Sequence, residues 1–424
     1  MTYEHTFALK GNLVYAAVPG KLTTRYNAYL VCAGNQVAGI YDALPEPWAE
    51  IPVTDYQDRL IIPGLVDLHT HAPQFAFRGI GMDMELLKWL ETYPFREEAR
   101  YKDFIYANQA YDRFVAALTM SGTARAVIFA TIHSPATLHL MEMLSETGLQ
   151  AYVGKVSMDR NCPVPLREKT KAALEDAEQW LRQSTDRFPG IRPILTPRFV
   201  PSCSEKLMAG LGALSAAYDV PVQSHLSENR AEVHWVEELH PGRSYAGVYD
   251  QFGLLGNPKP CIMAHCVYCT EEELELMKNN GVFVAHCPQS NTNLASGIAP
   301  VRRMLRKGLR IGLGTDVAGG SSLSMFRAMS DAIQVSKLRR ALLEEDEAFL
   351  TIPEVFYMAT KGGGAFWGKA GSFEPGYAFD ALVLDDTDLG FKGGLDLEQR
   401  LERIIYLSDD RNIRAKYVAG QRLF

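Results

Sequence analysis

The chain has no apolar run approaching the roughly 20 residues that cross a bilayer. Its start, Met-Thr-Tyr-Glu-His, has neither the basic region nor the apolar stretch of a secretory signal. The expectation is a cytoplasmic chain with no membrane partner. Cysteine is sparse and odd in number, seven in 424 residues, which argues against a disulfide-stapled scaffold and for reduced thiols. Cys266 and Cys269 form a lone CxxC with no second pair beside it, so packing is its simpler reading. A basic stripe is also missing. The net charge is −7 with acids and bases intermixed, so nothing tracks the phosphates of a nucleic acid and a small neutral substrate fits better. There is no internal repeat and no low-complexity linker.

What the chain does have is apolar residues, 47 % of the total, enough for one large core or for a large domain with a smaller companion. Residues 1–62 carry short β-like stretches at 6–9, 12–16, 28–32 and 36–41, punctuated by Gly, Pro and Asn. From about residue 60 to 371 the pattern changes. Strand-like apolar runs at 124–130, 151–156, 220–224, 261–264, 282–285 and 309–314 alternate with helical spacing, as at 107–120, 168–181 and 271–279. That alternation implies parallel β/α units, and about 300 residues accommodate a barrel of eight. After residue 371 β-like segments return at 381–384, 403–407 and 415–418, without long helices between them. The expected fold is α/β: a catalytic (β/α)8 TIM-like barrel over 63–371, with a small discontinuous β-sandwich domain from 1–62 and 372–424.

The strongest local signal is Leu60-Ile-Ile-Pro-Gly-Leu-Val-Asp-Leu-His69-Thr-His71, an apolar strand ending in two histidines one residue apart. Side chains two apart on a strand share a face, so both imidazoles can address one ion. A bare HxH is common by chance, and its company is what matters. Four further strand-like runs end in ligand types, at His225, His265, His286 and Asp316. In a parallel barrel all strand C-termini open onto one mouth, and several His with one Asp converging there is metal chemistry. Glu228, three residues past His225, can reach the same cavity without occupying the metal and can carry protons to a ring nitrogen and a leaving amine. The plainer alternative for Glu228 is an N-cap or first-turn acid of a helix over 229–238. Asp316 has a plain alternative too, as an Asp between a strand and a Gly-rich turn.

With these residues the chain resembles the amidohydrolase superfamily, and within it the guanine deaminases. The narrower markers are Pro63-Gly-Leu-Val-Asp-Leu-His-Thr-His-Ala-Pro-Gln74, Thr196-Pro-Arg-Phe199 and Ser224-His-Leu-Ser-Glu-Asn229, joined by Ala264-His-Cys-Val-Tyr268 and Gly314-Thr-Asp-Val-Ala-Gly-Gly320. The resemblance implies one zinc ion per chain on His69, His71, His225 and Asp316, although a His and Asp site also accepts iron or manganese. It further implies His265 beside the metal and the attacking water, Asp316 as acceptor of the water's proton and Glu228 as proton shuttle. Gln74 and Arg198 would hydrogen-bond the polar edge of guanine and Phe199 would pack on its ring, the planar fork of arginine suiting a carbonyl acceptor. A homodimer is likewise what the resemblance favours.

Competing readings differ in chemistry. A binuclear, hydantoinase-like site would use a carboxylated lysine, for which Lys155 in a strand-like run is the candidate, but such a site needs no Glu228. Other substrates of a like site are 8-oxoguanine, adenosine derivatives and triazines, against which only Gln74, Arg198 and Phe199 argue. A catalytically silent relative should lack a ligand, and none is lacking here. Enzymes that deaminate bases in nucleic acids carry H-x-E with a downstream P-C-x-x-C, and neither motif occurs. His286 has no step that requires it, and His133, His139, His234 and His240 are expected to be bystanders. Residues 80–93 are a candidate lid with Trp89 turned inward.

Overall fold

The computed structural model describes residues 5–256, 259–344, 346–391 and 393–424. Its middle region is built on parallel strands in two four-stranded sheets. One runs Leu65–His71, Thr123–Phe129, Gln150–Gly154, Ile191–Pro193 in spatial order, and the other Val222–Leu226, Cys261–His265, Phe283–His286, Arg310–Leu313. Helices such as Phe104–Met120, Ser134–Thr147 and Thr170–Ser184 connect successive strands. Leu65–His71 and Thr123–Phe129 are buried at every residue, as parallel strands covered on both faces are. The sheets meet at two seams. At one, Leu195 pairs with Val222 and Gln223 N donates to Leu195 O at 2.9 Å; at the other, Asp316 N donates to His69 O at 2.8 Å and His71 N to Val317 O at 3.1 Å. The α/β organisation read from the sequence is therefore present, as two parallel arcs joined at seams rather than one continuous ladder.

The chain ends combine in a separate seven-stranded sheet, ordered Gln421–Arg422, Ile413–Val418, Ala381–Leu384, Val53–Pro63, Thr6–Val18, Lys21–Ala33, Gln36–Tyr41. Three sequence expectations need correction here. The stretches 6–9 and 12–16 are one strand, Thr6–Val18, whose register against Lys21–Ala33 shifts between Gly11 and Leu13; the glycine marks a bulge, not a turn. The segment 403–407, read as β from its Ile-Ile-Tyr run, is the end of a helix, Leu397–Leu407. Asp396 caps it in a capping box with Gln399, and its buried Leu397, Leu401, Ile404 and Ile405 keep helical spacing. The apolar run 60–71 is two strands, not one. It passes from the seven-stranded sheet to the parallel sheet at Gly64, where a Cβ would lie 2.5 Å from Ala124 Cβ and 2.9 Å from Asp380 Cβ.

Buried polar contacts tie the two sheet systems together. Arg125 pairs with Asp380 at 2.6 Å. Lys416 Nζ, fully buried, donates to Leu118 O at 3.3 Å and to Thr119 O and Ser121 O at 3.0 Å. These carbonyls end the Phe104–Met120 helix, whose dipole favours the charged amine, while burial pushes the Lys416 pKa down to about 7. Lys416→Met removes the donor to Thr119 O and Ser121 O, while Leu118 O keeps its bond from Ser121 Oγ, at a cost of about 3 kcal/mol. A thermal melt should show a midpoint several degrees lower, and an unchanged midpoint would contradict this role for Lys416.

Candidate active site

A bulge aims the HxH pair. Val66 and Leu68 pack in an interior cluster with Val127, Ile262, Ala264 and Ala285, and simple alternation would send His69 and His71 the other way. The pairing of Leu65–His71 with Thr123–Phe129 shifts register between Asp67 and Thr70, which turns both imidazoles to one side. Asp67 holds that kink, its Oδ1 accepting from His69 N at 3.1 Å and from Thr315 N at 3.0 Å.

Two other strand ends are turned by backbone in the left-handed region, His265 at φ 73° and Asp316 at φ 47°. Non-glycine residues rarely adopt this region, and each such residue costs on the order of 1 kcal/mol or more. His286 stands in register with Leu313, keeps its strand backbone and faces away. It lines a different, small cavity with Arg302, Ser336 and Arg339, so the convergence expected of all five strand ends holds for four.

Those four form a tight cluster. His69 Nε2 and His71 Nε2 are 3.3 Å apart, His71 Nε2 and His225 Nε2 3.2 Å, and Asp316 Oδ1 lies 3.1 Å from His69 and 3.3 Å from His71. His225 Nδ1 donates to Arg198 O at 2.6 Å, which fixes the tautomer and leaves Nε2 as a lone pair facing the cluster. Burial first, then the neighbouring imidazoles, pushes His225 well below its ordinary pKa. Burial likewise pushes His71 down to about 3. Burial alone would raise Asp316, but the His69 and His71 imidazoles outweigh it and hold the carboxyl well below the usual range. The neutral His71 and His225 nitrogens turned toward one another at 3.2 Å have no proton to share. The His69, His71 and His225 nitrogens lie within 4.8 Å of one another, and Asp316 shares a second such group with His69, His265 and Cys287; this donor set fits a divalent cation.

Beside this cluster stands a second acid. Glu228, buried, accepts from Ser296 Oγ at 3.0 Å, and its Oε2 lies 3.4 Å from His265 Nε2. Burial, reinforced by the Asp316 charge, raises its pKa to about 8. It does not cap the following helix, Arg230–Leu239, because Asn229 does so in a capping box with Glu232. His265 Nδ1 donates to Asn291 Oδ1 at 2.8 Å, and its Nε2 lies 3.7 Å from Asp316 Oδ2.

One cavity connects all of these groups. His71, His225, His265, Asp316 and Glu228 line it together with Gln74, Arg198 and Phe199. Leu86, Trp89 and Leu90 of the candidate lid complete the wall, with Trp89 only 3 % exposed.

Several neighbours were not legible in advance. Glu98, 1 % exposed, accepts from both Gln74 Nε2 and Arg198 Nη1. Glu232 lines the cavity, its carboxyl raised to about 7 by burial and then by Glu228. Glu98 lies in Phe-Arg-Glu-Glu-Ala-Arg, which reads as a solvated helix face. Asp67 sits inside the motif that carries the HxH pair and had no assigned task, and Asn291 lies five residues past His286.

Lys155 is not part of the cluster. Its Nζ binds Glu168 at 2.7 Å and Asp176 at 3.3 Å, so it serves as a structural ion pair, not as a metal bridge. His139 and His234 make exposed contacts, His240 pairs with Arg160 and Glu205, and neither these three nor His133 line the cavity. Cys266 and Cys269, like the other cysteines, are free thiols.

Comparison with known proteins agrees with this geometry. Residues 60–423 match the amidohydrolase family. Guanine deaminase of Mus musculus is 41% identical over 376 residues, covering 85% of this chain and 82% of its own. That of Dictyostelium discoideum is 38% identical over 380 residues, covering 88% and 84%. A crystal structure of guanine deaminase from C. acetobutylicum with guanine bound in its active site superposes with a TM-score of 0.96 at 46% identity, over 99% of this chain and 100% of that one. The chain therefore belongs to the amidohydrolase family, in the group formed by the guanine deaminases.

Proposed function

We propose that this chain is a guanine deaminase, converting guanine and water to xanthine and ammonia with one zinc ion held by His69, His71, His225 and Asp316. The observation that carries the reading is the shared cavity: the metal donors His71, His225 and Asp316, the protonatable Glu228 and the Gln74, Arg198 and Phe199 side chains all line it. A bound divalent cation supplies a water that ionises near neutral pH.

The chain's own residues supply the rest. Asp316, kept ionised by its imidazole neighbours, takes the proton of the attacking water. Glu228, kept protonated near neutral pH by burial, gives its proton to the ring nitrogen next to the carbon that bears the amine. That carbon becomes more electrophilic; the carboxylate left on Glu228 then takes the proton remaining on the attacking oxygen and passes it to the amine, which leaves as ammonia, and the proton held by Asp316 restores Glu228. His265 lies between the two carboxyls, within hydrogen-bonding reach of the attacking oxygen. Arg198 offers fixed donors to the guanine carbonyl, Gln74 hydrogen-bonds the ring edge, and Phe199 packs on its face.

The same reading divides the chain into a catalytic domain over 63–371 and a small domain from 1–62 and 372–424. It includes a homodimer, favoured by family resemblance, and a cytoplasmic setting, supported by seven free thiols. No helix among the described residues is long and apolar enough to cross a membrane.

Substrate choice is tested with a panel of guanine, 8-oxoguanine, adenine and a chlorinated triazine on zinc-loaded protein. Guanine should be preferred, with adenine, which lacks the carbonyl, at least about 10²-fold slower in kcat/KM. A higher kcat/KM for 8-oxoguanine or the triazine would reassign the substrate within the family.

A further inference from the structure

Glu98 stands behind the residues that would hold the purine edge. It lies on the short helix Pro94–Arg100, is 1 % exposed, and has two partners in the cavity wall. Its Oε1 accepts from Gln74 Nε2 at 2.9 Å, and its Oε2 accepts from Arg198 Nη1. The same helix brings Phe95 under the Arg198 guanidinium, 5.0 Å from ring centroid to Cζ. Tyr101, just past the helix, donates to Pro73 O at 3.0 Å and so pins the loop that carries Gln74. One element therefore grips both Gln74, just past the strand Leu65–His71, and Arg198, just past the strand Thr196–Pro197 that pairs with Val156–Ser157.

The chemistry of these contacts restricts what each side chain can offer a ligand. An ionised carboxylate only accepts, so Gln74 must turn its amide nitrogen to Glu98. Its oxygen then meets Ala318 N at 3.2 Å, and the amide cannot flip without losing both bonds. Arg198 spends one nitrogen on Glu98 and is itself part of the cavity wall. Burying such an ion pair contributes little to net stability, because desolvation offsets the attraction. Its better explanation is a fixed pattern of donors.

Resting on the functional reading above, we propose that Glu98 is a positioning residue that sets guanine recognition, by holding the Gln74 amide in one orientation and neutralising and aiming Arg198. It touches neither the metal donors nor Glu228, so its effect belongs to substrate binding and not to the proton transfers.

The test is Glu98→Gln in the zinc-loaded full chain, measuring metal content, melting midpoint, and KM and kcat for guanine. Expected are unchanged metal content, a rise in KM of about 10- to 100-fold, and kcat within about threefold of the parent. A lower melting midpoint with unchanged KM in the folded protein would make Glu98 merely structural and overturn the inference. If the parent protein does not turn over guanine, the functional reading itself fails and takes this inference with it. Should Glu98→Gln alone not fold, the double variant with Arg198→Gln removes the buried charge with its partner and is compared with Arg198→Gln alone. A further rise of at least about tenfold in KM, acting through Gln74, supports the inference, and equal KM values overturn it.

Discussion

Glu228→Gln should lower kcat for guanine by about 10²- to 10⁴-fold, the span associated with one positioned proton donor, while metal content and fold stay as they are. The substitution keeps the shape of the side chain and removes the transferable proton. Glu228 is not among the metal donors, and its hydrogen bond from Ser296 at 3.0 Å can be kept by an amide oxygen. KM should change little, since the residues that grip the purine edge are elsewhere on the wall. The alternative reading, an acid serving the helix that follows, predicts instead a small stability effect and near-normal turnover. That alternative is already weakened, because Asn229 and Glu232 do the capping. A kcat within tenfold of the parent would contradict the shuttle.

The second large effect is expected from the metal. Chelated protein should lose at least about 10³-fold in activity, since several kcal/mol of transition-state stabilisation leave with the ion, and zinc should restore it. His71→Ala should behave as the chelated protein does and resist restoration, having lost one of the clustered nitrogens. A readout independent of turnover follows from mass action. An ion that binds only the folded chain stabilises it by about 4 kcal/mol at a thousand times its dissociation constant, so zinc should raise the melting midpoint of the chelated parent and not of His71→Ala. Full activity after exhaustive chelation, with no metal found on the protein, would contradict the proposed site.

How much of this was legible in the sequence follows residue by residue. His69, His71, His225, His265 and Asp316 were legible because strand ends in a β/α pattern share one side of the molecule, and that holds whatever the local geometry. His286 satisfied the same pattern and still faces elsewhere. What separates it from His265 is a left-handed φ of 73° at the latter, and no residue type announces that turn. The bulge that aims the HxH pair was equally hidden, since alternation counted along the sequence assumes an unbroken ladder. In the small sheet, Ile404-Ile405-Tyr406 looked β-like because a five-residue window is shorter than two helical turns; the capping residues Asp396 and Gln399 lie outside it. Glu98 was beyond reach for a different reason. A charged residue in a charged helix reads as solvated, and only tertiary packing brings it against Gln74 and Arg198.

Stoichiometry measures the proposed reaction most directly: zinc-loaded protein is incubated with guanine while ammonia and the purine product are quantified together. One xanthine and one ammonia for each guanine consumed, at a rate that collapses in Glu228→Gln, is the predicted result. A protein that holds its metal, melts cooperatively and releases no ammonia from guanine would contradict the account.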